Sequence, residues 1–213
     1  CPSNKRPVPA GPHGKTASQK LSTYGKLLRE KQKLRSHYAL TEVQLRFIYQ
    51  KSQAGQAKDG DRLLTVGEKL IRNLELRLAS VVFRSGLAPT IFAAKQAVIH
   101  GHILVDGKKV DRNGYRVRPG QVISINAEKS PKVAEIASKA NAVVPSYLEV
   151  DKPNCKVTVL HEPQLSEVPV TRGEAPAPAP RQQGSGRGRA SEEAPKQVPC
   201  HVDIMSVIEY YAR

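Results

Sequence analysis

The sequence predicts an α+β fold: a small helical domain and a compact mixed α/β module, preceded by an extended basic arm. Three observations carry the prediction. Apolar residues recur at helical spacing from Leu21 to about Val82. They return as short, partly alternating runs between Ile103 and Ile125. They are scarce in the first twenty residues, which proline and glycine interrupt repeatedly. A chain of 213 residues has room for one or two small domains, and the absence of Trp argues against one large core.

Residues 1–20 hold Lys5, Arg6, His13, Lys15 and Lys20 and no acidic residue. Pro2, Pro7, Pro9 and Pro12 deny regular structure. Two readings stand: an arm that inserts between nucleic-acid strands, or a disordered terminus. From Leu21, a helix is indicated by Tyr24, Leu27, Leu28, Leu34 and Tyr38, with Lys26, Arg29, Lys31, Lys33 and Arg35 among them. A second helix opens at Thr41, where Gln44 can close a capping box and Leu40 and Leu45 can form a hydrophobic staple. Residues 55–60 read as a loop. A third helical run covers about Leu63 to Val82. Gly67 weakens it by about 1 kcal/mol relative to Ala, so the run is broken or closely packed there. Residues 21–82 thus form the helical domain.

The mixed domain spans 83–170, and its compact module covers about 77–128. Thr90 caps a helix whose Phe92, Ala93, Ala97 and Val98 can face inward, and Gly101 ends it in a left-handed turn. "ILVDGKKV" reads as strand, turn, strand, with Asp106-Gly107 suited to a primed turn. Tyr115 to Arg118 alternate as a strand, Pro119-Gly120 turns, and Val122 to Ile125 resume. Beyond this, 131–143 reads as a helix and "CKVTVL" as a strand. Residues 171–197, "TRGEAPAPAPRQQGSGRGRASEEAPKQ", cannot build a core and read as a linker or insertion, its "GRGR" included. Residues 202–213 close the chain with a helix carrying Ile204, Val207, Ile208 and Tyr211, expected to dock on the helical domain.

Charge then narrows the function. Lys and Arg number 34 against 19 Asp and Glu, a formal charge of +15. Such a chain repels itself unless a polyanion neutralises it, and nucleic acid or an anionic membrane would serve. No apolar run approaches the roughly 20 residues of a membrane span, and the N-terminal stretch lacks a signal core. Cys1, Cys155 and Cys200 form no disulfide framework, which fits a reducing compartment. Phosphate-binding Gly-rich loops ending in Gly-Lys-Ser/Thr, dinucleotide fingerprints and His-Glu-x-x-His motifs are absent, so no enzyme is predicted. His100 and His102 lack a nearby third ligand and read as phosphate contacts or an exposed turn, so neither metal nor cofactor is expected. The stretch His100–Ile125 carries Lys108, Lys109, Arg112, Arg116 and Arg118 against two Asp. A solubilising face is the bland reading. The net charge favours nucleic acid, and a mixed module without a recognition helix suits irregular RNA read by shape and backbone.

These residues also resemble a known family, the uS4 proteins of the small ribosomal subunit of bacteria and organelles. "RLASVVFRSGLAPTIFAAKQAVIHGHILVDGKKVDRNGYRVRPGQVISI" is similar to the family's RNA-binding module, "KLLREKQKLRSHYALTEVQL" to its helical domain, "KRPVPAGPHG" to its arm and "EYYAR" to its terminus. Departures occur at Ile91 and Phe92, where the family often has two basic residues, and at Asn113-Gly114, which replaces Pro-Ser. The resemblance implies a structural constituent of the small ribosomal subunit. It would bind a multi-helix junction in the 5′ domain of the small-subunit rRNA, early in assembly. It would lie beside ribosomal proteins uS5 and uS3 where mRNA enters the subunit, in a bacterial cytoplasm or in a plastid or mitochondrion. The RNA-contacting candidates are Lys5, Arg6, His13 and Lys15 on the arm, and Lys26, Arg29, Lys31, Lys33 and Arg35 on the helical domain. On and beside the module they are Arg77, Arg84, Lys95, His100, His102, Lys108, Lys109, Arg112, Tyr115, Arg116 and Arg118. In relatives with an N-terminal zinc knuckle the last of four cysteines falls at Cys1. Three ligands are missing ahead of it here, so no zinc is expected. The alternative is an RNA-modifying or ribosome-associated factor carrying the same module, but residues 129–213 are too short and too Pro-rich for a catalytic domain.

The linker reading is testable. Deleting residues 175–195 is expected to leave RNA affinity within about a few-fold of the intact chain, because the segment has almost no apolar anchor. A loss of about a hundredfold in a binding titration would overturn it.

Overall fold

The computed structural model describes residues 21–54, 58–59, 62–126, 144–151, 153–168 and 202–212. The expected arm, the helix over 131–143 and the 171–197 linker lie outside them, as do Lys5, Arg6, His13 and Lys15.

Helix α1 (Thr23–His37) starts at Ser22, whose Oγ accepts from the Gly25 N–H. Its end is a Schellman turn: Leu40 N–H donates to Arg35 O and Ala39 N–H to Ser36 O, with Ala39 at φ 49°. Helix α2 (Glu42–Ala54) has the expected capping box, Thr41 and Gln44 exchanging backbone-to-side-chain bonds. Leu40 and Leu45 are both buried in one cluster. The expected 55–60 loop holds the first strand of a hairpin, β1 (Lys58–Asp59) against β2 (Arg62–Leu63). Helix α3 (Val66–Glu75) opens with a second capping box, Thr65 with Glu68.

The single run expected over 63–82 is two helices, α3 and α4 (Leu78–Arg84), and the break is not at Gly67. A Cβ on Gly67 would meet Ile204 at 3.0 Å and Ile208 at 3.3 Å, so its role is close packing beneath the closing helix, α6 (Ile204–Ala212). The break falls at Leu76–Arg77. Arg77 is extended, because Leu76 O accepts from Val117 N–H and Leu78 N–H donates to Tyr115 O. Tertiary pairing thus overrides a continuous helical pattern. The same bridge, Arg77 with Arg116, is all that forms of the strand expected over 115–118.

Helix α5 (Ile91–Ile99) is capped by Thr90 and terminated by Gly101 at φ 73°. Its buried face is Ile91, Ala94, Ala97 and Val98, whereas Phe92, expected inward, is 68% exposed. One residue past Ile91 is about 100° around the helix, which turns Phe92 to solvent. Strands β3 (Ile103–Val105), β4 (Lys108–Lys109), β5 (Val122–Ile125), β6 (Leu148–Asp151) and β7 (Lys156–Val159) form an antiparallel sheet in the order β4-β3-β5-β7-β6. Ile103, Val105, Ile123, Ile125, Val157 and Val159 alternate onto one buried face, against Val81, Val82, Ala94 and Val98 of α4 and α5. A second cluster gathers Leu34, Leu45, Ile48, Leu70, Ile71, Leu74 and Val207 from α1, α2, α3 and α6.

Between the two clusters sits Glu75, at the end of α3 and 0% exposed. Its carboxylate accepts from Tyr38 (2.6 Å), Tyr147 (3.0 Å) and Arg84, through both Nη2 (2.8 Å) and Nε (3.1 Å). Burial raises its pKa, but the Arg84 charge and the hydrogen bonds outweigh that and hold it below the ordinary carboxylate value. The neighbouring His37 Nε2 accepts from Arg84 Nη2 at 2.9 Å. Burial, then the Arg84 charge, pulls the His37 pKa down to about 4.

Both groups make the fold acid-sensitive. Unfolded His37 takes up a proton below its ordinary value of 6.5, whereas the folded one does so only near 4, so stability is complete above pH 6.5 and falls until about pH 4. Glu75 adds a further loss below 4.5, because its folded pKa is the lower one. Between pH 7 and pH 5, His37→Gln is expected to abolish a loss of about 2 kcal/mol. Urea unfolding at the two pH values measures this; an unchanged pH dependence in the variant would exclude His37 as its source.

Candidate nucleic-acid interface

The module's basic loop is held from below. Asp106 and Gly107 take φ values of 50° and 77°, the primed turn that the β3–β4 hairpin requires. Asp106 then reaches across to β5: Oδ1 accepts from Val122 N–H at 2.9 Å and Oδ2 from Gln121 Nε2 at 2.8 Å. Gln121 in turn accepts from the Arg118 N–H at 2.9 Å, and its Nε2 donates to Tyr115 Oη at 3.3 Å. The backbone carrying Tyr115, Arg116 and Arg118 is therefore pinned, while Lys108, Lys109, Arg112, Arg116 and Arg118 are exposed. Among the described residues, no carboxylate forms an ion pair with Lys108, Lys109, Arg112 or Arg118. Four unneutralised cations on a pinned surface form an anion-seeking site.

At its edge, the His100 and His102 rings stack with centroids 5.8 Å apart. The Lys109 stem lies over Gly101, where an added Cβ would fall 2.1 Å from Lys109 Cε. The Arg77 guanidinium lies over Gly114, 3.4 Å from where a Cβ would be, an ordinary contact distance. Burial pulls the Arg77 pKa below its ordinary value, and among the described residues it has no ion-pair partner.

Two candidates are engaged inside the fold. Arg84 is 9% exposed and is spent on Glu75. Freeing it for a phosphate would cost about 3–5 kcal/mol by leaving a buried charge alone, more than a phosphate contact returns. Lys31 is 4% exposed, pairs with Glu42 at 2.9 Å and sits 4.3 Å from the Tyr210 ring centre, so it ties α1 to α2 and α6. Lys95 donates to Ala39 O at 2.8 Å and so joins the module to the end of α1. Lys33 pairs with Glu30. Lys26 and Arg29 are exposed on α1 and Arg35 is half-buried there, apart from the module's loop in sequence and element.

Sequence reasoning missed the acidic side of the site. Glu162 Oε2 pairs with buried Arg72, and its Oε1 lies 3.8 Å from Arg116 Nη2. Nothing in the sequence links residues so far apart. Among the described residues, no group of three His, Cys, Asp or Glu is placed to hold a metal, and no helix is long and apolar enough to cross a membrane.

The pinning is testable. Asp106→Ala is expected to lower stability by about 1–2 kcal/mol, through two broken hydrogen bonds. Asp106→Asn keeps an acceptor for Val122 but not the bond from Gln121 Nε2, so it should recover about half of it. Equal losses in thermal melts of both variants would mean that the charge, and not the acceptor, matters.

Comparison with known proteins places this geometry. Residues 1–75 match the family described as Ribosomal protein S4/S9 N-terminal domain, and residues 76–123 match the S4 domain. The division falls at the Glu75–Leu76 turn, where α3 gives way to the sheet side. The chain is 41% identical over 171 residues to the small ribosomal subunit protein uS4 of Thermobifida fusca, covering 78% of this chain and 80% of the relative. It is 42% identical to that of Bifidobacterium adolescentis, over 78% and 79% of the two chains. To that of Bacillus cytotoxicus it is 43% identical, over 80% and 82%. All three are named as ribosomal proteins and none as an enzyme. With its pinned basic loop set on an S4 domain and helices α1 to α3 on the matching N-terminal domain, the chain belongs to the uS4 family of small ribosomal subunit proteins.

Proposed function

We propose that the protein is a structural constituent of the small ribosomal subunit that binds the small-subunit rRNA through two faces. The observation that carries this is the run of exposed cations on the pinned Lys108–Arg118 loop, which, among the described residues, lack acidic partners apart from the long contact to Arg116. Lys26 and Arg29 on α1 supply the second face, and the arm with Lys5, Arg6, His13 and Lys15 threads between RNA helices. His100, His102 and Tyr115 add polar contacts. The target is a multi-helix junction in the 5′ domain, bound early in assembly, and the mature position borders uS5, uS3 and the incoming mRNA. The subunit is that of a bacterial cytoplasm or an organelle; the relatives above are bacterial. An RNA-modifying or ribosome-associated factor remains the alternative, and the match of the helical half to a ribosomal family favours the structural role.

Replacing Arg116 and Arg118 together by Ala should weaken binding to RNA of any sequence, because phosphates carry no base code. The slope of log affinity against log salt should fall by up to about 0.7–0.9 for each phosphate that is no longer neutralised. Salt-titrated binding to a 5′-domain fragment decides this. A folded double variant with wild-type affinity and wild-type slope would show that the loop does not touch RNA.

A further inference from the structure

Arg77 and Arg116 face each other across a single antiparallel bridge. The flanking bonds, Leu78 N–H to Tyr115 O and Val117 N–H to Leu76 O, are each 2.8 Å. They make the two arginines the non-hydrogen-bonded pair, the arrangement that brings opposed side chains closest, with Cα atoms about 4.5 Å apart. Like charges directly opposite one another destabilise a strand pair. Neither guanidinium can relieve this by losing its proton. An anion beside either would.

The anion at hand is Glu162. Its Oε1 stands 3.8 Å from Arg116 Nη2, and both side chains are near the surface, at 44% and 37% exposure. A pair that long and that exposed is weak. The carboxylate cannot simply move aside or close in, because its other oxygen is held by the buried guanidinium of Arg72. It is therefore fixed where a phosphate approaching Arg116 would meet a negative charge. Arg77, half-buried over Gly114, keeps no carboxylate of its own among the described residues.

We infer that Glu162 is a specificity-determining residue: anchored by Arg72, its carboxylate stands in for phosphate beside Arg116, and an RNA must overcome it to seat a backbone phosphate there. The inference rests on the RNA-binding reading above. An RNA that makes many other contacts bears the local repulsion easily. One held by a few phosphate contacts has little with which to offset it. Glu162 thus weakens non-specific binding more than specific binding, as an introduced repulsion does. The Arg72 anchor distinguishes this arrangement from a chance surface pair, because it keeps the charge at the arginines instead of letting it swing into solvent.

The full chain tests this as wild type, Glu162→Gln, Arg116→Gln and the double variant, with thermal melts to verify folding. Affinities for poly-uridylate and for a 5′-domain rRNA fragment are measured over a range of salt. Glu162→Gln is expected to tighten poly-uridylate binding by about three- to tenfold and the rRNA fragment by less. In the Arg116→Gln background the same change should shift poly-uridylate affinity by less than about twofold, because the two residues act together. If Glu162→Gln unfolds because Arg72 loses this carboxylate, Arg72→Met with Glu162→Met removes both charges and should show the same tightening. Unchanged or weaker poly-uridylate binding in a folded variant would reduce Glu162 to a support for Arg72 and overturn the inference. So would equal tightening with and without Arg116. A wild-type chain that binds neither RNA would instead overturn the RNA-binding reading itself.

Discussion

The Glu75 carboxylate is the interaction on which the rest of the structure depends. It lies at the point where α3 ends and the chain crosses from the helical cluster to the sheet cluster. Burying a carboxylate alone would be prohibitive, so its four hydrogen bonds are obligatory. They come from Tyr38 at the end of α1, Arg84 at the end of α4 and Tyr147 ahead of β6. One anion therefore fixes the relative placement of three segments remote in sequence. A buried ion pair of this kind adds little net stability, but it penalises any arrangement that leaves a member unpaired. Here it specifies one seam between two apolar clusters that would each accept several.

That seam explains why similar residues have opposite roles. Arg84 and Arg116 are both arginines of the S4 domain match. Arg84 points into the seam and is neutralised; among the described residues, Arg116 on the pinned loop meets only a long, weak contact. Lys31 and Lys26 differ in the same way on α1, one locked to Glu42 and Tyr210, the other exposed. Net charge overstates the interacting surface, because a share of the cations is used internally. Of what remains outside, five exposed cations lie between residues 108 and 118, on the loop that Asp106 and Gln121 hold. A pinned loop loses less conformational freedom on binding, so more of each phosphate contact appears as affinity.

The break between α3 and α4 links the seam to that loop. Arg77 leaves helical geometry to pair with Arg116, and this pairing anchors the loop to the start of α4. It also sets two arginines opposite one another in the backbone pairing, and like charges so placed favour an anion. Glu162, held by Arg72 of α3, brings the helical side into the same place. The helical half therefore does more than support the module: it contributes to the charge balance at the module's surface.

Much of this is legible in the residues alone. The capping pairs Thr41–Gln44 and Thr90, the Asp106-Gly107 turn and the Gly101 terminus follow from local rules, because each requirement is met within a few residues of chain. The strand from Cys155 onward and the docking of the closing helix are visible in apolar spacing. So are the exposed cations of the loop, which sit between pattern-forming residues. Tertiary structure decided the rest. The helical period of 63–82 contains no mark of its break, since the bonds that pull Arg77 out of the helix come from residues 115 and 117. Phe92 reads as core because apolar residues surround it, and only the packing of α5 on the sheet shows which side faces in. The division of cations into buried and available, and the carboxylate set beside Arg116, depend on partners 9 to 90 residues away. A sequence lists charges, but whether a charge is spent depends on which opposite charge the fold brings within a few ångströms of it.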